Sequence, residues 1–517
     1  MRRFRDPAIS AFGLSALLYT LLRIPSFFEP HWYTDEAGYA TTAREMLRGK
    51  LLYVDIWNNK PPLHLWTVAA ILRLFGSSEG AFHFATYVFG LLTLAAVAYA
   101  AFHLLSRRRA TLAVIAMAIV LGTPLLDAEL LLPESLLIAP AAWAGAMLLV
   151  RVGPKPDSGL RWPLLVGILA AAATAYQQTS LADAAAFLAI LLLSPRATLG
   201  QALTFLGGFL LATAGWLVYE MLMAGPSTVA YALAGFYVSY TSAMLPPGWP
   251  GLLLLGGSLT LAAGLALAGA IFLRRQEQPW ALGLWSVASL LAAAAPQHPY
   301  AHLLLPAMVP TILLIASLPL PIRILQVGRR LAPGAGAMAC SVVIAGVLAT
   351  GAGVDWVPPL ASQGSNTNRT LTQFYVGLTS AAAGSGSLND WRESFDYRVG
   401  PDEQVATWLK ANGLSHAKTV VWSSDAWPYL LADLDEVMPT PPLYNNFALL
   451  GNGGEVGDFV RSQQPLLIVT SDADTAVYSE IVPILRDAYE DAFDAGPEHV
   501  WVLKGATAGD GAQRLDG

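Results

Sequence analysis

HWYTDEAGYATTAREMLRGKLLYVDIWNNKPPLHLW, residues 31–66, is the stretch around which the chain is organised. It lies between a first hydrophobic span at 8–24 and a second at 80–104. It carries a carboxylate pair, Asp35 and Glu36, just outside a membrane. A basic amphipathic segment follows, and then Lys60 set against Pro61 and Pro62. A loop that only joined two membrane helices would need few of these features. The loop reads as the catalytic part of a membrane enzyme, and the other spans as the structure that holds it and a lipid substrate.

Composition supports the membrane reading. Of 517 residues, 55% are hydrophobic and 13% charged, about half the charged fraction of ordinary soluble domains. Apolar runs recur at 8–24, 80–104, 110–127, 134–151, 162–178, 180–194, 199–223, 249–273, 280–296, 301–320 and 333–353. Roughly eleven helices would cross a hydrocarbon core of about 30 Å. The net charge of −6 says less than its distribution, since most acids sit in the last quarter. The single cysteine, Cys340, lies inside an apolar run and excludes an intramolecular disulfide. The basic start, followed by a long apolar stretch without a clear cleavage site, reads as an uncleaved first helix.

Orientation follows from the lysine and arginine bias of short cytoplasmic loops. Arg2, Arg3 and Arg5 put the N-terminus inside. Arg107 to Arg109, Arg151, Arg196, Arg274 and Arg323 mark further inner loops. The 25–79 loop, the 126–134 turn, the 296–302 turn and everything after 354 then lie outside.

The predicted organisation is a transmembrane catalytic domain over 1–353, a linker over 354–400, an outer α/β domain over 401–505 and a disordered tail over 506–517. Serine, glycine, asparagine and threonine fill the proposed linker, which reads as partly ordered. Beyond it, Pro401 to Asn412 looks helical with Gly413 as a stop. Lys418 to Trp422, Pro465 to Thr470 and His499 to Leu503 look like strands. No glycine-rich phosphate loop of the dinucleotide type is present.

Asp35 and Glu36 open a helix predicted to run to Arg48, with Tyr39, Ala40, Ala43, Met46 and Leu47 at apolar spacing and Arg44, Arg48 and Lys50 around the other side. Such a helix lies in the membrane interface, where its acids would meet a lipid-linked phosphate. The residues alone also allow plain helix capping. Lys60, held in a loop before proline, could meet a phosphate as a point charge or simply snorkel. Asp127, Glu129 and Glu134 sit at the outer boundary, as do His298, Tyr300 and His302. No HExxH or cysteine-rich spacing indicates a dedicated metal site. A carboxylate-bound divalent cation stays open.

The first loop resembles the first outer loop of the GT-C glycosyltransferases of the protein-mannosyltransferase and aminoarabinose-transferase type (glycosyltransferase family 39). LLDAELLLPESLL at 125–137 and PQHPYAHLLLPAMVP at 296–310 extend the similarity. The resemblance implies a GT-C fold and a polyprenyl-phosphate sugar donor. It also implies inverting transfer to a lipid, glycan or protein acceptor outside the cytoplasmic membrane, with no nucleic acid involved. Asp35 then resembles the catalytic base with Glu36 beside it, and Glu134 the second acid, with Asp127 and Glu129 as alternatives. Lys60 would face the donor phosphate. Tyr39, His298, Tyr300 and His302 would line the substrate site. A structural or sensory membrane protein with a ligand-binding outer domain would leave the Asp35–Lys60 loop unexplained, and a transporter or flippase of lipid-linked saccharide is the alternative reading. It would be expected to show internal repeats or polar groups at mid-membrane, and the sequence shows neither. Reporter fusions after Arg109 and after Gly400 test the orientation. Opposite sides are expected, and the same side for both refutes it.

Overall fold

Helix ends in the membrane part are set by local chemistry. The computed structural model describes residues 7–153, 157–237, 277–295, 300–317, 371–451 and 453–506. Helix α1 covers Pro7–Arg23, α2 Thr34–Leu47, α3 Pro62–Phe75, α4 Glu79–Leu104 and α5 Arg107–Gly122. Helix α6 covers Pro133–Arg151, α7 Arg161–Tyr176, α8 Leu181–Leu193 and α9 Leu199–Ala224. Ser78 caps α4 by accepting the Ala81 N–H, and Thr198 and Gln201 form a reciprocal capping box on α9. Pro133 takes the first position of α6, where its missing N–H costs nothing.

Among the described residues, four helices are long and apolar enough to cross a membrane: Ala8–Phe28, Glu79–Leu104, Pro133–Arg151 and Leu199–Ala224. Helices α5, α7 and α8 and the later Glu277–Ala294 and Leu305–Ser317 overlie other expected spans. The expected spans 249–273 and 333–353 lie outside the described residues. Glycines set one tight crossing. A Cβ at Gly167 would fall 2.1 Å from the Phe205 carbonyl oxygen, and one at Gly208 would fall 2.5 Å from that of Leu164. Only small residues let α7 and α9 approach this closely.

The C-terminal part is a five-stranded sheet in the order β2-β1-β3-β5-β4. Its strands are β1 Lys418–Trp422, β2 Asp435–Glu436, β3 Leu467–Ser471, β4 Tyr489–Ala495 and β5 Glu498–Leu503. Strand β1 pairs parallel with β2 and β3, and β5 runs antiparallel to β3 and β4. The three expected strands are present, and β2 and β4 were not anticipated. Side chains alternate between faces. Val420, Trp422 and Ile468 pack under the sheet's own helices, whereas Val421, Leu467 and Val469 join a core shared with the membrane part. That shared core includes Ala37, Leu65, Phe82 and Leu136.

Two expectations are corrected here. The stretch 371–400 is not a linker. It forms helices Leu371–Ala382 and Leu388–Glu393 and the start of Val399–Ala411, and Phe374, Trp391 and Phe395 are buried in the shared core. Helix α2 does not turn its basic side to lipid headgroups. It is buried along most of its length, and its basic residues hold the C-terminal domain. Glu45, 1% exposed, accepts from Arg44 at 3.0 Å and Arg48 at 3.0 Å and pairs with Lys50 at 2.9 Å. Arg48 then reaches Asp433 at 2.6 Å and Asp435 at 2.9 Å. Arg44 donates to the carbonyls of Tyr429 and Leu434, and Lys50 to that of Glu436.

Removing the buried member of such a cluster leaves its cations uncompensated. Glu45→Ala is expected to cost roughly 3 kcal/mol and to open the segment around residues 429–436 to protease before the membrane helices melt. An unshifted melting temperature with unchanged proteolysis would show that the cluster does not hold the domain.

Candidate active site

The N-terminus of α2, the turn before α3, the N-terminus of α6 and the C-terminal domain converge on one cavity of about 320 Å³. Asp35, Tyr39, Lys60, Glu134, Tyr300 and His302 all line it. These residues come from segments as far apart in sequence as α2 and the turn before Leu305–Ser317. His298 lies outside the described residues.

The acid pair divides. Asp35, half-buried near the start of α2, faces the cavity and makes no hydrogen bond among the described residues. Helix α2 has no side-chain cap hydrogen bond, and Asp35 sits in its first turn, where the helix dipole favours an acid. The next side chain, Glu36, does not line the cavity. It is 4% exposed and accepts the Leu131 N–H. Burial pushes its carboxyl up to about 8, and the Leu131 hydrogen bond only partly opposes this. Glu36 thus ties α2 to the turn before α6.

The other acids divide in the same way. Glu134, near the start of α6, accepts from Gln177 Nε2 at 3.0 Å, and both residues line the cavity. Asp127, at a left-handed φ of 50°, sits behind the wall and meets His302 Nδ1 at 3.3 Å. Tyr33 Oη lies 3.5 Å from the same nitrogen, and the Tyr300 ring stacks on His302. Glu129 is elsewhere, 4.0 Å from the buried Arg23 at the end of α1. Arg23 also donates to Thr86 Oγ1 at 2.7 Å.

Lys60 is held through its backbone. Its N–H donates to Asn58 Oδ1 at 3.1 Å, and Tyr53 Oη donates to its carbonyl at 2.7 Å. The carbonyl of Asn59 accepts from Gln178 Nε2 at 3.2 Å. Burial disfavours the ammonium, but Tyr237, Glu134 and Asp35 outweigh it and raise the pKa above the ordinary lysine value. Lys60 is therefore a cation on the cavity wall, with Nζ 6.0 Å from the Tyr39 ring centroid.

Sequence reasoning missed much of the lining. Asn58 and Asn59 adjoin Lys60 and were within reach. Gln177 was signalled only by its polarity near the end of the expected span 162–178. Tyr237, Tyr397, Arg398, Tyr444, Asn445 and Asp474 carried no local signal. Arg398 is gripped by Asp396 through two bonds of 3.0 Å, with Asp425 at 3.6 Å. Among the described residues, one group of ligand-type side chains converges tightly, Asp491, Asp494 and His499 on the β4–β5 hairpin. None of these lines the cavity.

A carboxyl whose folded pKa is raised is stable when protonated, and its contribution is lost as pH rises from the ordinary value near 4.5 through about 8. Glu36→Gln fixes the neutral form. The melting temperature of the variant relative to the native protein is expected to climb across that window and to level off above it. A constant difference from pH 5 to 9 would mean that Glu36 does not titrate there.

The family model for dolichyl-phosphate-mannose-protein mannosyltransferase matches residues 59–219. No curated protein matches by sequence. Among solved structures, ArnT from Cupriavidus metallidurans bound to undecaprenyl phosphate superposes with a TM-score of 0.60 at 16% identity, covering 95% of this chain and 97% of that one. Its apo form gives 0.58 at 15% identity, with the same coverage. The Archaeoglobus fulgidus oligosaccharyltransferase tethered to an acceptor peptide gives 0.52 at 12% identity, covering 98% of this chain and 75% of that one. At these identities the structural likeness is one of fold.

Proposed function

We propose that this chain is a GT-C glycosyltransferase of the protein-mannosyltransferase type, a reading supported by the family model over residues 59–219 and by the fold, and that it moves a sugar from a polyprenyl-phosphate donor to an acceptor hydroxyl. The observation that carries this reading is the meeting of Asp35, Glu134 and Lys60 in one cavity. Asp35 makes no hydrogen bond among the described residues, so its carboxylate is open to a substrate hydroxyl. Two of the similar structures supply context: ArnT is described with bound undecaprenyl phosphate, and the oligosaccharyltransferase with an acceptor peptide.

The reaction asks little of the protein beyond position, a base and a cation. The acceptor oxygen forms a bond to the anomeric carbon as the bond from that carbon to the phosphate oxygen breaks. The electron pair leaves with the polyprenyl phosphate. The acceptor proton goes to a carboxylate oxygen of Asp35. Lys60, a charged point on the opposing loop, steadies the phosphate as its negative charge grows. A single displacement inverts the anomeric configuration. Glu134, fixed by Gln177, is the second acid and orients the sugar or acceptor. Glu36 supports this constellation from behind, and Asp127 acts through His302. The cavity lies against the C-terminal domain, which keeps bulk water from competing as acceptor. The chain is taken to sit in the cytoplasmic membrane with this cavity on the outer side. The acceptor is a lipid, a glycan or a protein.

Asp35→Asn retains the shape of the side chain but cannot take the proton. Transfer is expected to fall by about 10²–10⁴ with an unchanged melting temperature, while Lys60→Ala weakens donor binding and Lys60→Arg retains part of it. The measurement is sugar release from polyprenyl-phosphate-sugar by purified protein in detergent. A fully active Asp35→Asn enzyme would remove Asp35 from the mechanism.

A further inference from the structure

The C-terminal domain contributes its own wall to the cavity, and two polar side chains in that wall have hydrogen-bonding capacity to spare. Asp474 is fixed by the turn after β1. Its Oδ2 accepts from Ser423 Oγ at 3.0 Å and from the Ser424 N–H at 2.9 Å, and its Oδ1 accepts from Ser424 Oγ at 2.8 Å. No ion pair reaches it among the described residues. A carboxylate offers about four acceptor sites, so three donors leave room for one more. The dispersed charge suits a hydroxyl donor.

Asn445 stands on the helix Leu443–Leu450. It is 7% exposed and lines the same cavity, yet its amide makes no hydrogen bond among the described residues. A buried amide without a partner costs stability, and an amide aimed into a cavity can both donate and accept. Tyr397 and Tyr444 line the same cavity and add aromatic surface to it. One spare acceptor, one donor–acceptor amide and flat rings suit a polyhydroxylated ring.

We infer that Asn445 and Asp474 form a hydroxyl-binding subsite for a sugar ring. This rests on the transferase reading. The ring belongs either to the donor's transferred sugar or to a glycan acceptor, and the chemistry of the subsite is the same for both.

The test uses full-length protein in detergent, with thermal-shift titration against three kinds of probe. Bare undecaprenyl phosphate reports the phosphate site alone. Failure of the native protein to bind it would count against the transferase reading and not specifically against the subsite. Undecaprenyl-phosphate-linked mannose, glucose and galactose report the donor sugar. Methyl glycosides of the same sugars, added at saturating undecaprenyl phosphate, report an acceptor ring. Asn445→Ala breaks no internal hydrogen bond and should fold. It is expected to bind bare undecaprenyl phosphate as the native protein does and to lose about tenfold toward one of the sugar-bearing series. Loss in the lipid-linked series assigns the ring to the donor, and loss in the methyl glycosides assigns it to the acceptor. Asp474→Asn, which retains most of its size, should weaken the same series. Equal sugar affinities in native and variant proteins, or no sugar-dependent gain in the native protein, would overturn the inference.

Discussion

Glu45 is the constraint on which the arrangement depends. It is a buried carboxylate that pairs with Arg44, Arg48 and Lys50 at once. With Asp433 and Asp435 adding two more negative charges, the three cations can face protein instead of water and donate to the carbonyls and carboxylates of residues 429–436. Helix α2 becomes a layer between the membrane helices and the sheet. Its N-terminus is then fixed in space, and with it Asp35. Further contacts lie along the same seam, where the Trp57 N–H donates to the Pro439 carbonyl at 2.7 Å and the His31 ring packs 4.4 Å from that of Trp427.

Much of the membrane part was legible because a hydrocarbon slab forces a minimum run of apolar residues. The spans at 80–104 and 134–151 differ from helices α4 and α6 by a residue at most. The cavity acids and Lys60 were legible as polar residues out of place beside those runs. The orientation of α2 was not. An amphipathic basic helix has the same pattern whether its partner is a lipid headgroup or the acidic face of another domain. Asp433 and Asp435, almost 400 residues away in sequence, decide between them. The 371–400 region misled for a related reason. Its serines and glycines dominate the composition, while Phe374, Trp391 and Phe395 carry the packing.

The division between Asp35 and Glu36 shows what spacing cannot settle. Neighbours on a helix point about 100° apart, so a pair read as one unit can serve two surfaces. One of these acids faces a cavity and the other the Leu131 amide. Strand β4 was hidden by chemistry of another kind. Its YEDAFDA sequence is acidic and mostly exposed, a charge pattern that protects a sheet edge from pairing with other chains.

Gly38 stands at the seam, where a Cβ would fall 2.9 Å from Pro442 Cγ. Proline is rigid and cannot easily move aside, so hydrogen is what fits. The two surfaces are matched to within one carbon atom, and they share a hydrophobic core as well as a polar seam. The C-terminal region is therefore not an interchangeable module. A chimera that takes this region from a relative would need residues 426–445 and α2 from the same parent. Evolutionary change in the cavity's lining on this scaffold would have to proceed by paired changes on both sides of the seam, and exchange of whole domains would be a poor route.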